Sequence, residues 1–195
     1  MTLLRVQAFA AKRRNAALFK PLNWTLQAGQ YLEITGANGS GKTTLLRVLA
    51  GLYDQYEGEF HASSPLYSGH RLGLDPLLSA VENLRWLGHL NDQNLSNEQL
   101  LTALRRVGVV QQAVRPVGQL SQGQQRRVGM AYWLLSTASV WLLDEPLNAL
   151  DSGGRSLVTE LVEQHLAAAG AVVCATHLPL GLSGQQVIQL EAADA

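Results

Sequence analysis

Apolar residues run along this chain in two rhythms. Residues 3–35 carry short apolar stretches interrupted by polar positions, with Gly29 as a turn, which is the pattern of a small β region leading into the strand "YLEIT". "LLRVLAGL" then reads as a helix, so "GANGSGKTT" at residues 36–44 lies where a strand turns into a helix. "SAVENLRWLGHL" opens with Ser79 and has Glu82 three residues on, and Ser96 with Gln99 repeats that spacing before "LLTALRRVGV". Both are capping-box patterns, in which each side chain satisfies a backbone N–H that the helix start leaves unpaired. Residues 72–135 are therefore predicted to be helical. "SVWLLDEP" and "AVVCATH" carry the short, wholly apolar runs "VWLL" and "AVVCA", as suits strands covered on both faces of a parallel sheet. No repeat, low-complexity tract or linker interrupts the chain.

These elements predict an α/β fold. It has a mainly parallel core sheet, an N-terminal antiparallel β region and a helical subdomain. One domain is expected over residues 1–195, with 1–71 and 136–195 forming the core and 72–135 the helical part. A length of 195 residues and 47% hydrophobic content suit such a domain with a sizeable core.

Fifteen basic and fifteen acidic residues cancel, so no global charge draws the chain to nucleic acid or to an anionic membrane. The single cysteine, Cys174, sits in an apolar run and has no second thiol to pair with, which fits a reducing compartment. In "MTLLRVQAFAAKRR" the apolar stretch precedes the basic residues, the reverse of a secretory signal. The charge-free run from Val128 to Leu143 is shorter than the roughly 20 residues that cross a bilayer, and it splits naturally into a helix end and a strand. Work at a membrane would have to depend on another chain.

The chemistry lies in three short stretches. Gly36, Gly41, Lys42 and Thr43 match G-x-x-x-x-G-K-[ST] between a strand and a helix, the setting of a phosphate-binding loop. There the backbone N–H groups of Gly36, Ala37, Asn38, Gly39, Ser40, Gly41, Lys42, Thr43 and Thr44 can turn onto phosphate oxygens. The helix start adds positive potential, Lys42 reaches the terminal phosphates, and the Thr43 hydroxyl can ligate Mg2+. In "VWLLDEP", Asp144 at a strand end can complete the Mg2+ shell and Glu145 can polarise an attacking water. In "LSQGQQRR", Leu120, Ser121, Gln122, Gly123 and Gln124 stand where a helix should begin, so a hydroxyl, backbone N–H groups and a helix dipole converge on one anion. Taken alone, the acidic pair reads equally well as residues ending a strand, and the serine stretch reads better as an ordinary helix cap with a solvated arginine pair behind it.

Together these residues resemble the ATP-binding subunits of ABC transporters over nearly the whole chain. "GANGSGKT" is similar to their Walker A loop, "LSQGQ" to their signature, "VWLLDEP" to Walker B, "NALD" at 148–151 to the D-loop, and His177 to the switch histidine. The resemblance implies a P-loop ATPase in which two chains sandwich two ATP molecules, with Glu145, His177 and Lys42 catalytic. "AVENL", "SGH" and "LSQGQQRRVGMAYWLL" are most similar to the haem-exporter branch of that family. That likeness implies a translocase subunit at the cytoplasmic face of a bacterial inner membrane, working with membrane proteins called CcmB, CcmC and CcmD in c-type cytochrome biogenesis, and with no nucleic acid. Other small exporters and soluble DNA-repair ATPases share the motifs, but the latter carry long coiled coils and basic DNA faces, whereas this chain has no long heptad array and no net charge. Two positions depart from the family pattern. Arg13 stands where an aromatic usually stacks on adenine, and Arg71 stands in place of the Q-loop glutamine.

Overall fold

The computed structural model describes residues 1–69, 72–182, 184, 186–191 and 193, so Arg71 lies outside the described residues. In chain order the elements are β1 (Thr2–Arg13), β2 (Ala16–Ala17), β3 (Leu22–Gln27), β4 (Tyr31–Thr35), α1 (Lys42–Leu49), β5 (Tyr56–Ala62), β6 (Pro65–Ser68), α2 (Ala80–Leu90), α3 (Asn97–Arg106), α4 (Gln122–Leu135), β7 (Val140–Asp144), α5 (Ser152–Ala167), β8 (Ala171–Ala175) and β9 (Gln186–Gln189). They fall into two compact units. One comprises Met1–His70, Ala138–Pro146 and Val162–Ala195, and the other Arg71–Thr137 and Leu147–Leu161.

The first unit holds two sheets. β1 pairs antiparallel with β2, β3 and β5, while the second sheet runs β6-β7-β8-β4-β9 with every pairing parallel. All five residues of β7 and all five of β8 are buried, which explains the apolar runs Val140–Leu143 and Ala171–Ala175: a strand covered on both faces has no polar side to alternate with. The core between the sheets is built on α1, whose Leu45, Leu46, Val48 and Leu49 pack with Leu32 and Ile34 of β4, Leu142 of β7, Val173 of β8 and Leu4, Val6 and Phe9 of β1. Each such side chain contributes about 1.5–3 kcal/mol by leaving water. Phe9 also stacks on Tyr56 at 5.5 Å and meets Phe60 edge-on at 5.8 Å.

β1 pairs with β3 along one edge and with β5 along the other, and it carries a bulge at Ala8, where its register to both partners shifts. Ala8 has a φ of 45°, and its N–H leaves the ladder to donate to Asn23 Oδ1 at 2.8 Å. Facing the bulge, Gly58 has a φ of 82°, and a Cβ there would overlap the carbonyl oxygens of Gln7 and Ala8. On the far face of the parallel sheet, Tyr31 donates to the buried Glu33 carboxylate at 3.1 Å. Burial pushes the Cys174 thiol well above its ordinary range, so this cysteine is an inert core residue.

The second unit carries α2, α3 and α4, with 3-10 turns at Val110–Gln112 and Val117–Gln119. Helix does not fill all of 72–135, because Pro76 and Pro116 lie in extended or turning backbone. Ser79, Ser96 and Ser121 each close a complete capping box, the first two as their spacing predicts. Asn83, fully buried, donates to Asp75 O, Leu78 O and Ser79 O and accepts from Asp75 N, tying the preceding loop onto α2.

Ser79 accepts from Glu82 N–H and donates to Glu82 Oε2 at 2.6 Å, so Ser79→Ala is expected to cost about 1 kcal/mol. The Ser79 hydroxyl and, after it, the Ser79 N–H, both donating to Oε2, hold the Glu82 carboxyl below its ordinary pKa. A depressed folded-state pKa means stability that is present above the unfolded-state value and lost as pH falls through the folded one. Urea unfolding of wild type and Ser79→Ala should therefore show a gap at neutral pH that narrows once the pH falls below the ordinary carboxylate range.

Candidate functional site

In the first unit, β4, β7 and β8 lie side by side and point the same way, so the loops that follow them open at one edge. Crevices at the carboxyl ends of parallel strands are where such sheets hold ligands. After β4, Gly36, Gly39 and Gly41 take φ values of 144°, 81° and 99°, backbone that side-chain-bearing residues rarely adopt. At Gly41 a Cβ would also stand 2.9 Å from the Phe19 ring. The chain thereby curls into a loop that ends on the start of α1.

Lys42, the first residue of α1, is buried, and its Nζ donates back to Gly36 O at 2.7 Å and Ala37 O at 3.1 Å. Two neutral carbonyls do not balance an ammonium, and no ion pair involves Lys42 among the described residues. The Ser40 hydroxyl in the same loop is buried and unpartnered. An uncompensated cation, an orphaned hydroxyl and a helix start beside them suit an anion.

Beside the loop is a cleft of about 500 Å³, a volume typical of small-ligand sites. Asn38, Gly39, Gly41, Lys42, Thr43 and Thr44 line it from the loop and α1, and Asp144, Glu145 and His177 from the ends of β7 and β8. Gly36, Ala37 and Ser40 complete the loop itself. Arg13 lines the cleft too, with Leu18, Arg47 and Tyr53, so an exposed guanidinium occupies the rim where the family pattern has an aromatic.

Asp144, 4% exposed, accepts a hydrogen bond from the Tyr67 hydroxyl at 3.2 Å, and burial together with that carboxylate pushes the phenol above its usual range. Glu145 has a φ of 51° and donates its N–H to Ala175 O at 2.8 Å; such left-handed backbone in a glutamate costs about 1–3 kcal/mol and concentrates at functional sites. His177 Nε2 is 3.6 Å from Glu145 Oε1. The turn bearing His177 is held by Thr176 Oγ1, which donates to Leu178 O at 2.9 Å and accepts from Leu178 N–H at 3.0 Å. Thr43 and Asp144 bring hard oxygen donors to one cleft, as Mg2+ requires when phosphates and water supply its other ligands. Among the described residues no cluster of three or more His, Cys, Asp or Glu forms a cage for a metal.

The remaining predicted residues lie in the second unit. Leu120 is buried there, and Ser121 is the N-cap of α4: its hydroxyl accepts from Gln124 N–H at 3.2 Å, and Gln124 Oε1 accepts from Ser121 N–H at 3.0 Å. The N–H groups of Gln122 and Gly123, in the first turn, are out of reach of the helix's own carbonyls. Asp151 of "NALD" accepts from Gly154 N–H at 2.7 Å and pairs with Arg127 at 3.4 Å. Tyr67, Leu18, Arg47 and Tyr53 were not legible as site residues. None belongs to a motif: Tyr67 meets Asp144 through the pairing of β6 with β7, and Arg47, one helical turn beyond Thr43 on α1, lines the cleft with Leu18 and Tyr53.

The ABC transporter profile matches residues 19–148. The cytochrome c biogenesis ATP-binding export protein CcmA of Saccharophagus degradans is 36% identical over 204 residues, spanning 95% of this chain and 92% of that protein. The protein of the same name from Escherichia coli O157:H7 is 37% identical over 200 residues, spanning 96% and 95%. A solved dimeric ATP-binding cassette in a post-hydrolysis state, bound to ADP and Pi, has the same fold with a TM-score of 0.85 at 24% identity, over 96% of this chain and 94% of that one. The described residues include no helix long and apolar enough to cross a membrane. With that profile across its phosphate-loop and strand-end motifs, and with such relatives along nearly its whole length, the chain belongs to the ABC transporter family of ATP-binding proteins, in the branch of the cytochrome c biogenesis ATP-binding export proteins.

Proposed function

We propose that this chain is the ATP-hydrolysing subunit of a membrane complex that serves c-type cytochrome biogenesis, through haem handling or release of a haem-loaded chaperone. The observation that carries this reading is the Lys42 ammonium, held on two loop carbonyls with no carboxylate partner among the described residues, in one cleft with Thr43, Asp144, Glu145 and His177. The names of the relatives support the pathway.

In this reading the backbone N–H groups of residues 36–44 and the start of α1 bind and orient the phosphates, and Lys42 exchanges its loop carbonyls for the terminal phosphate oxygens. Thr43 and Asp144 would hold the Mg2+ that accompanies ATP, and the ion would supply charge neutralisation for phosphoryl transfer. Glu145 orients a water and draws on its proton, and His177 beside it helps fix the geometry around the terminal phosphate. Arg13 and Leu18 on the rim face the base.

Residues Leu120–Gln124 of a second copy close the site from across a dimer, where Ser121 and the first-turn N–H groups of α4 meet the phosphates. The dimeric cassette of the same fold supports that arrangement. Closure and reopening of this clamp do mechanical work on membrane subunits resembling CcmB, CcmC and CcmD, with the chain peripheral to the inner membrane on its cytoplasmic face. Zero net charge is consistent with no nucleic-acid partner.

Lys42→Ala should lower ATP hydrolysis about a hundredfold or more while leaving the far-UV circular dichroism and unfolding midpoint in place; normal ATPase activity would overturn the role given to the loop. Glu145→Gln keeps shape and hydrogen-bonding reach but not charge. Hydrolysis is expected to fall about 10²–10⁴-fold with ATP affinity retained, and size-exclusion chromatography should show an ATP-dependent dimer, because a ligand that binds only the dimer stabilises it. Ser121→Arg should abolish that dimer and spare ATP binding to the single chain; loss of binding to the single chain would mean that Ser121 acts within its own subunit.

A further inference from the structure

Asp144 is almost fully buried, and a buried carboxylate is positioned by whatever donates to it. Its donor is Tyr67, whose hydroxyl lies 3.2 Å from Oδ2. The two residues come from neighbouring parallel strands: Tyr67 of β6 is in register with Leu142 of β7, and Ser68 with Leu143, so the pairing continues toward Gly69 beside Asp144. A phenol two residues short of its target can reach it only by leaning along the strand over position 69. That position is glycine, buried, and a Cβ there would overlap the Tyr67 hydroxyl. Tyr67 and Gly69 thus act as a matched pair, one supplying the donor and the other its path. Half-buried against the core that α1 builds, the ring is stiff, so its O–H is delivered to a fixed point.

We propose that Tyr67 is a positioning residue for metal binding: by donating to Oδ2 it fixes the Asp144 carboxylate with its other oxygen presented to the Mg2+ that accompanies ATP, an inference that rests on reading the cleft as a Mg·ATP site. The effect is orientation. Without the phenol the carboxylate loses a charge-assisted hydrogen bond and gains rotational freedom, which must be removed again when the metal binds. Nucleotide binding by the loop and Lys42 needs neither group, so the two contributions separate: loss of the phenol weakens the metal's share and spares the metal-free nucleotide's share.

Tyr67→Phe in the full chain tests this. A fluorescent ATP analogue is titrated first in EDTA and then, at fixed nucleotide, with Mg2+ and in parallel with Mn2+, whose electron paramagnetic resonance signal reports bound metal directly. The expected result is an unchanged analogue affinity in EDTA with half-saturating metal raised about tenfold, the size of effect that loss of a carboxylate's outer hydrogen-bond partner produces. Gly69→Ala, which keeps the phenol but obstructs its path, should give the same metal defect. Thermal melting without nucleotide shows that both variants are folded, and should either fail to fold, the other carries the test. Unchanged half-saturation in a folded variant overturns the proposal. So does tighter metal binding, which would make Tyr67 a competitor that the metal must displace. If the wild-type chain shows no metal-dependent nucleotide binding at all, the reading of the cleft itself falls.

Discussion

The site depends on an ammonium with nowhere else to go. Lys42 is carried inward by the first residue of α1, buried, and held by two carbonyls of the loop it closes. That arrangement requires Gly36, Gly39 and Gly41 to stay at positive φ, so that the backbone can double back under the side chain. It also requires α1 to be immobile, which the leucines and Val48 on its buried face secure by packing against both sheets of the first unit. The hydrophobic core therefore sets the direction in which a positive charge points, and its packing keeps the loop ready for an anion before one arrives.

Around that charge the parallel sheet does the arranging. β4, β7 and β8 are neighbours, so the loop after β4, the Asp144–Glu145 pair after β7 and His177 after β8 open together into one cleft. Each strand-end residue is tied down by a separate hydrogen bond: Asp144 by Tyr67, Glu145 by the Ala175 carbonyl, and the His177 turn by Thr176. The unusual φ of Glu145 is held in place by the fully buried strand before it. In the second unit the same economy serves helix starts. Three serines close three capping boxes, and buried Asn83 together with Gln125, which donates to Val117 O and Leu120 O, fastens the loops that lead into α2 and α4.

Local chemistry was legible in the sequence wherever it is short-range. The phosphate-loop glycines, the serine caps at Ser79 and Ser96, and the all-apolar runs that became β7 and β8 each follow from residues within a few positions of one another, because backbone conformation, capping and two-sided burial are decided there. β5, β6, β9 and α5 left little trace. β9 is a mostly exposed four-residue edge strand, α5 opens on two glycines, and β5 owes its place to the bulge at Ala8 and to Gly58 opposite, which only pairing reveals. The sequence alone determined that a glycine-rich strand-to-helix loop with the phosphate-loop pattern, a strand-end acidic pair and a serine-capped helix exist in this chain. Tertiary structure decided that the acidic pair meets the loop, that Arg13, Leu18, Arg47 and Tyr53 rim the same cleft, and that Tyr67 reaches Asp144 across Gly69. Those meetings depend on the order and direction of strands far apart in the chain, and that order is settled by which packing buries the most apolar surface with its polar groups still paired.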